Sequence, residues 1–300
     1  MDNEAEARAA ALAREELRPA SPRSGFITGA RESLTEIWQR RELLDMLVRR
    51  ELRARYKDSS LGLLWSLARP LVQLLIYYLA IGRILGAERA IPDFAIYVFA
   101  GITAWTLLAE IVQGGTASIL ANSGIVKKIY LPREIFPLSV VGSAIFNFLI
   151  QLGILLVAAV LVRGLVLDER LLYLPLGLLV IVSWGTAFAL VLAAANVYLR
   201  DIQYLVEVAI MVGFWLSPIV YSWSMVADTI PDALADIYLL NPVTLSTLAF
   251  QRSVWVSGPA EAFPPDHALR LLVALAIGGV LLILAQRLFA RMQRDFAQEL

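Results

Sequence analysis

Six apolar stretches, each long enough to cross a lipid bilayer as an α-helix, dominate this sequence. A helix rises 1.5 Å per residue, so about 20 apolar residues cross the roughly 30 Å hydrocarbon core. The stretches are approximately Leu61–Leu85, Phe94–Ile119, Ile135–Val162, Leu171–Val197, Ile202–Trp223 and His267–Phe289. Their number and length predict an all-α polytopic membrane protein with six transmembrane helices.

The composition agrees with this class and excludes several kinds of chemistry. The chain is 59% hydrophobic and 17% charged, with a mean hydropathy of +0.68, whereas soluble domains are about 45–50% apolar. Positive and negative charges balance, which points to no nucleic-acid partner. The sequence has no cysteine and a single histidine, His267, so disulfides, thiolate sites and multi-histidine metal centres are excluded.

The chain before the first apolar stretch divides into two parts. Residues 1–29 are rich in Ala, Glu and Arg and have no apolar signal-peptide core, so we expect a mobile cytosolic tail. Over residues 30–60, apolar side chains such as Trp38 and Leu47 recur at helical spacing with basic residues between them. This pattern predicts an amphipathic helix at the membrane surface, although such a helix could also pack on a soluble domain. We predict that residues 61–300 form the six-helix transmembrane domain.

The long connection between the fifth and sixth stretches, residues 224–266, contains five prolines. Its middle, Ile237–Trp255, is moderately apolar but is interrupted by Asn241-Pro242 and by Arg252. A full crossing would leave broken backbone in lipid, where its polar groups find no partner. We therefore predict short re-entrant or interfacial helices on the external side.

The distribution of Lys and Arg predicts which side faces the cytosol, because cytosolic connections are enriched in them. One set of connections carries thirteen of these residues near the helix ends, and the other carries four, or six with two borderline ones. The richer set includes the segment 41–57, Lys127, Lys128, Arg133 and Arg200. We therefore expect a multi-pass membrane protein with both termini in the cytosol.

The boundary between the basic segment and the first apolar stretch is chemically unusual. Arg53, Arg55 and Lys57 supply cations where a phospholipid or lipid phosphate would lie. Arg69 follows inside the apolar stretch, where an arginine costs about 2.5–3.5 kcal/mol at a helix centre, and Pro70 removes a backbone donor. Two interpretations are open: Arg69 snorkels to the interface beside a kink, or it faces a polar path through the membrane.

This boundary also gives the first resemblance to a known family. The segment Arg55-Tyr-Lys-Asp-Ser-x-Leu-Gly-x-Leu-Trp-x-Leu-x-x-Pro-Leu71 resembles the start of the first membrane helix in ABC-2 type permeases of the polysaccharide-export branch. Those membrane subunits export lipid-linked O-antigen, teichoic acid and related glycans, and their helices one and five line the path. The resemblance implies Trp65, Tyr77, Trp215 and Tyr221 as path residues that stack on sugars. An interfacial belt or packing is the commoner role of such aromatic residues, and that interpretation stays open.

The connection after the second stretch, Asn122–Pro137, carries apolar and basic residues together. Short positive connections are common, but Ile125, Val126, Ile129 and Tyr130 would form an apolar knob on a water-facing loop. Such a knob indicates a docking partner.

The same connection resembles the family pattern Asn-x-x-Leu-Val-x-Lys-x-x-Phe-Pro-Arg-Glu, with Ile125 and Leu131 in place of Leu and Phe. In the family this position is the coupling helix that seats in the nucleotide-binding subunit. The resemblance therefore implies a set of ATPase-coupling residues in this connection, namely Ile125, Val126, Lys127, Lys128, Ile129, Tyr130 and Arg133.

Three later motifs match the family in the expected order. Asn196–Ile202 resembles the turn between helices four and five, and adds Arg200 and Asp201 to the implied coupling residues. Phe214–Tyr221 resembles the family's Ser-Pro-Ile-x-Tyr motif in helix five. Leu240-Asn-Pro-Val-Thr244 resembles the Asn-Pro motif of the external re-entrant segment, which implies Asn241 and Pro242 as external-gate residues.

Two carboxylates lie within the predicted spans, Glu110 and Glu207. Ionisable groups in lipid are costly and are functional candidates for that reason. Glu207 is close enough to Asp201 for solvent to reach it, whereas Glu110 needs a partner or water. A proton-coupled secondary transporter would use such groups, and the topology alone does not exclude that class.

The sequence has no Gly-x-x-x-x-Gly-Lys-Ser/Thr motif, so we predict no nucleotide site, no cofactor and no catalysis in this chain. The resemblance implies a homodimer with two copies of a separate ATPase subunit that binds ATP and Mg²⁺. The predicted function is the permease subunit of an ATP-driven exporter that moves lipid-linked polysaccharide out of the cytosol. In this prediction Arg53, Arg55, Lys57 and Arg69 receive the lipid pyrophosphate. The alternatives are an ABC-2 exporter of a small drug or lipid, and a proton-coupled transporter.

Overall fold

The computed structural model describes residues 35–56, 64–127, 131–164, 168–259 and 262–300. Helices are the only regular secondary structure in these ranges. In chain order they are α1 (Arg41–Tyr56), α2 (Leu64–Tyr77), α3 (Phe94–Ala121), α4 (Ser123–Val126), α5 (Ile135–Arg163), α6 (Tyr173–Tyr198), α7 (Ile202–Trp215), α8 (Trp223–Thr229), α9 (Asp232–Tyr238), α10 (Pro242–Val254), α11 (His267–Met292) and α12 (Phe296–Glu299). A π-helix, Tyr78–Ile84, continues α2, and 3-10 turns occupy Ala87–Arg89, Glu169–Leu172 and Gln293–Asp295.

Helix α3 lies at the centre of the bundle. In its most apolar window 78% of the residues are buried, against 28% for α5 and 22% for α11. Helices α5, α6 and α10 pack along α3, while α11 packs on α6. Small residues allow the close approach of α3 and α6, since a Cβ added at Gly115 would lie 2.5 Å from the Cβ of Ala189.

Four helical segments are long and apolar enough to cross a membrane: Phe94–Ala121, Ile135–Val162, Glu169–Tyr198 and His267–Asp295. They coincide with the second, third, fourth and sixth predicted stretches. The outer faces of α5 and α11 expose apolar side chains such as Leu161 and Val280, as expected for surfaces in lipid. Helices α9 and α10, bent by 84° at the break between them, are together long and apolar enough for a fifth crossing if the pair is taken as one span. The all-helical polytopic class is confirmed, and the count of six stays a prediction.

The first predicted stretch is not a uniform α-helix. Its described part is the 14-residue α2 followed directly by the seven-residue π-helix Tyr78–Ile84. Pro70 lies inside α2 and is buried.

The fifth predicted stretch is shorter than expected. Helix α7 has 14 residues and ends at Trp215, so at 1.5 Å per residue it is about 21 Å long. The prediction of one helix from Ile202 to Trp223 is therefore wrong. Pro218 explains the end, because a proline disfavours helical backbone at the residue before it. The carbonyl of Pro218 accepts hydrogen bonds from Tyr97 Oη at 3.2 Å and from Gln251 Nε2 at 2.8 Å.

Residues 224–266 contain short helices, as predicted. Helix α10 is a core element, because every side chain from Thr244 to Gln251 is buried between α3 and α6. It begins at Asn241-Pro242, where Asn241 Oδ1 accepts from the Val243 N–H at 3.0 Å and Pro242 occupies the first turn. A re-entrant position in the membrane stays a prediction.

The bundle has two ends that are used below. The basic end contains α4, the turn Tyr198–Asp201 and the segment 293–300. The opposite end contains α8, α9 and the start of α10. Helix α1 packs on α5 near the basic end, and Leu47 is buried. The approach is close, because a Cβ added at Gly142 of α5 would lie 2.7 Å from Cγ2 of Val48. The position of α1 at the membrane surface stays a prediction. The predicted tail, residues 1–29, lies outside the described residues.

Candidate functional site

Three of the predicted path residues lie together where the far ends of α2 and α7 meet. The Tyr77 ring stacks on Phe214 with centroids 5.5 Å apart and meets the edge of Trp215 at 6.2 Å. Tyr221 Oη donates to the carbonyl of Trp215 at 2.8 Å. The structure therefore brings Tyr77, Trp215 and Tyr221 into one aromatic group, in which Trp215 is 54% exposed.

In the parts of α2 and α7 that precede this aromatic group, both helices have exposed apolar faces. Each helix packs on α3 through its other side. The exposed apolar side chains are Leu71, Val72, Leu75, Ile76, Tyr204, Leu205, Val208, Met211 and Val212. Arg69 and Glu207 are also exposed, and each lies eight residues before the aromatic group, about 12 Å along its helix. One cation and one carboxylate thus lie on otherwise apolar faces.

Arg55 and Glu110 form an ion pair that the sequence did not predict. Arg55 Nη1 lies 3.1 Å from Glu110 Oε2, and Asn147 Nδ2 donates to the same oxygen at 2.9 Å. The contact joins α1 to α3 and α5. Glu110 therefore has the partner that its position required. Arg55, predicted as a free cation for a lipid phosphate, is already engaged by a carboxylate.

The other predicted cations are distributed differently. Arg53 is exposed near the end of α1. Arg50, one turn earlier, donates to Asn122 Oδ1 at 2.5 Å and thereby ties α1 to the start of α4. Lys57 lies outside the described residues, and only the backbone of Trp65 is described.

The apolar knob predicted on the Asn122–Pro137 connection is corrected in part. Val126 is buried and Ile125 is partly buried, because both belong to an apolar cluster that also contains Ile119 of α3 and Phe136. Among the described residues of α4 and its C-cap, two are exposed, Gly124 and Lys127. Lys128, Ile129 and Tyr130 lie outside the described residues, and the docking role of this connection stays a prediction.

Glu134 closes this connection and is buried. Gln293 Nε2 donates to Glu134 Oε1 at 3.3 Å. Burial raises the pKa of the Glu134 carboxyl above its usual value, and the nearby charge of Glu36 raises it further. Arg133, one residue earlier, places its guanidinium 5.5 Å from the ring centroid of Phe296. The basic end is therefore held together by contacts from the segment 293–300.

The remaining predicted site residues lie at both ends of the bundle. Arg200 and Asp201 are exposed in the turn between α6 and α7, beside Tyr198. Asn241 and Pro242 lie at the opposite end, where their observed contacts are those of a helix start. The described residues contain no group of three or more His, Asp or Glu side chains arranged to hold a metal ion.

The long apolar spans, the exposed faces of α2 and α7 and the compact basic end define an integral membrane protein with several spans. A family model places it further: residues 42–254 match the ABC-2 type transporter model. Because this match covers more than half of the chain, the chain belongs to the ABC-2 type transporter family. The resemblance noted in the sequence is thereby confirmed.

Curated relatives are also similar along most of the chain. An O-antigen export system permease protein RfbA from Myxococcus xanthus is 29% identical over 265 residues, which are 88% of this chain and 98% of that protein. Two proteins of the same name from Klebsiella pneumoniae are 28% identical over 218 residues, which are 72% of this chain and 81% of each relative.

Proposed function

We propose that this chain is the permease subunit of an ATP-driven exporter that moves lipid-linked polysaccharide from the cytosolic to the external side of the plasma (inner) membrane. The observation that carries the proposal is the similarity to an O-antigen export permease over 98% of that relative's length. In this proposal the basic end faces the cytosol, together with both termini.

The exposed faces of α2 and α7 support a homodimer that encloses the path. Both helices are apolar and solvent- or lipid-facing in the single chain, and they carry Arg69 and Glu207. A charged side chain at membrane depth is favoured where it faces a partner or a water-filled cavity. The aromatic group of Tyr77, Trp215 and Tyr221 would then lie at the outer part of the path, where ring faces can stack on sugars. Asn241 and Pro242 would start the helix that borders the external gate.

The lipid pyrophosphate would be received at the inner part of the path. Arg53 and Arg69 are exposed and available to an anion, and Lys57 belongs to the same proposed set. Arg55 would join them only by exchanging Glu110 for a phosphate oxygen, since it is paired in the structure. A charge-assisted hydrogen bond to phosphate is about twice as strong as a neutral one, which favours arginine at this place.

ATP hydrolysis is assigned to a separate ATPase subunit that binds ATP and Mg²⁺. The basic end is the proposed docking surface, with Ile125 to Tyr130, Arg133, Arg200 and Asp201 as its residues. Lys127, Arg200 and Asp201 are exposed and can reach a partner. A proton-coupled mechanism through Glu110 is less well supported, because that carboxylate is held by both Arg55 and Asn147.

Reconstitution in sealed vesicles tests this proposal. The purified chain alone is expected to hydrolyse no ATP. With its cognate ATPase and MgATP it should export the native lipid-linked glycan, and an ATPase variant that cannot hydrolyse ATP is the control. Hydrolysis by the chain alone, or export driven by a proton gradient without the ATPase, would overturn the proposal.

A further inference from the structure

Phe296 is fully buried although it belongs to a four-residue helix that follows α11. Its ring meets three side chains from different parts of the chain. Phe289 of α11 packs edge-on at 5.6 Å, Tyr198 at the end of α6 lies at 6.1 Å, and the Arg133 guanidinium lies 5.5 Å from the ring centroid. The same ring therefore touches both connections of the basic end.

Hydrogen bonds on either side of Phe296 support this arrangement. Tyr198 Oη donates to the carbonyl of Met292 at 2.7 Å. Gln293 Nε2 donates to Glu134 Oε1 at 3.3 Å, and the carboxyl of Glu134 is itself buried. The segment 292–296 is thus bonded to the turn after α6 and also to the connection before α5.

Both connections lead directly into the proposed docking surface. Arg133 follows the α4 region, and Tyr198 precedes Arg200 and Asp201 by two and three residues. These stretches are far apart in sequence, and Phe296 is a neighbour that they share. A surface assembled from two independent connections would have to become ordered on binding, whereas a preorganised surface avoids that loss of affinity.

We propose that Phe296 is a positioning residue, which fixes the two connections of the basic end relative to each other so that they form one preformed surface for the ATPase. This inference rests on the proposed function for the identity of the partner. The fixing of the two connections is a property of the chain itself and can be measured without the partner.

The first experiment compares Phe296→Ala with Leu288→Ala in the full-length chain. Leu288 is an apolar residue of the same region, 43% exposed on α11, and serves as the matched control. The measured quantity is the affinity of the purified chain for its cognate ATPase. Phe296→Ala is expected to weaken binding about tenfold, or about 1.4 kcal/mol, the scale of one cation–π contact plus one aromatic pair. Leu288→Ala should bind as the wild type does.

A second measurement separates positioning from general stability. Amide hydrogen exchange in Phe296→Ala should become faster at residues 131–135 and 198–202, while α10 at the opposite end keeps its protection. Phe296→Leu retains apolar volume but lacks the ring, so it should show the same local pattern to a smaller extent.

Equal affinities for wild type and Phe296→Ala, with unchanged exchange at both connections, would overturn the inference. Faster exchange throughout the chain in both Phe296 variants would also overturn it, because Phe296 would then contribute only to folding. If the wild-type chain binds no ATPase, the proposed function fails, while the exchange pattern still decides whether Phe296 fixes the two connections.

Discussion

The contact between Arg55 and Glu110 allows a quantitative test of how α1 is attached to the membrane helices. Three variants are needed, Arg55→Gln, Glu110→Gln and the double variant. Glutamine at position 110 keeps an oxygen that can accept from Asn147, so the exchange removes the charge and retains that hydrogen bond. The interaction energy follows from a double-mutant cycle as the deviation from additivity.

The structure sets the expected size of this energy. The Nη1–Oε2 distance is 3.1 Å, and the side chains of Arg55 and Glu110 are 40% and 25% exposed. Fully exposed ion pairs contribute about 0.2–1 kcal/mol, whereas hydrogen bonds to charged groups in buried sites contribute about 1.5–3 kcal/mol. A partly exposed pair lies between these limits, and we expect a coupling energy of about 1 kcal/mol.

The assay is equilibrium unfolding of the purified chain in a fixed detergent. Arg270 and Asp236 supply the control pair, because their distance is 3.0 Å but Asp236 is 69% exposed. Their coupling energy should be below about 0.5 kcal/mol. A coupling energy for Arg55 and Glu110 within about 0.3 kcal/mol of zero, which is the usual scatter of additivity, would refute this reasoning.

Three other predictions concern packing, pH and the path. Gly115→Ala should lower the free energy of unfolding by about 1–3 kcal/mol, because the added methyl group overpacks against Ala189. The control is Gly153→Ala, since a Cβ added at Gly153 has nothing within 4 Å. It should be neutral or slightly stabilising in the same unfolding assay. The raised pKa of the Glu134 carboxyl means that its contribution to stability is full below its pKa in the unfolded chain and is lost as pH rises through its pKa in the folded chain. Glu134→Gln should therefore raise the melting temperature at neutral pH and make it depend less on pH. Parallel curves of melting temperature against pH for the variant and the wild type would contradict this. Arg69→Leu should reduce glycan export at matched expression and Arg69→Lys should retain part of it, while equal export by both variants and wild type would leave Arg69 with an anchoring role only.

The long spans could be predicted from sequence because length and hydropathy alone determine them. The stretches that became α3, α5, α6 and α11 were located almost to their ends. The end of α7 was missed, although its signal was present in Ser217-Pro218. Hydropathy continues past that proline, so the apolar pattern extends beyond the point where the proline's backbone restriction ends the helix.

The contacts of the site were less predictable, because they depend on how helices pack. Glu110 could be recognised as a residue that needs a partner, but nothing in the sequence points to Arg55. The basic neighbours of Val126 indicate an exposed knob, whereas the fold buries Val126 in the apolar cluster that includes Phe136. Phe296 gave no signal at all, since an aromatic residue near basic ones is compatible with many environments.

The burial of α10 has a consequence for the biogenesis of the protein. Thr244, Ser246, Thr247 and Gln251 are all buried, so this helix has polar groups on faces that lipid would not accept. Helices α3 and α6 precede α10 in the chain, and in the folded structure they form the cleft that holds it. His267 then follows, and its Nε2 lies 3.0 Å from the carbonyl of Leu245. A variant in which α3 and α6 separate would therefore leave the polar groups of α10 without their cleft, and we expect such a variant to be inserted or retained poorly in the membrane.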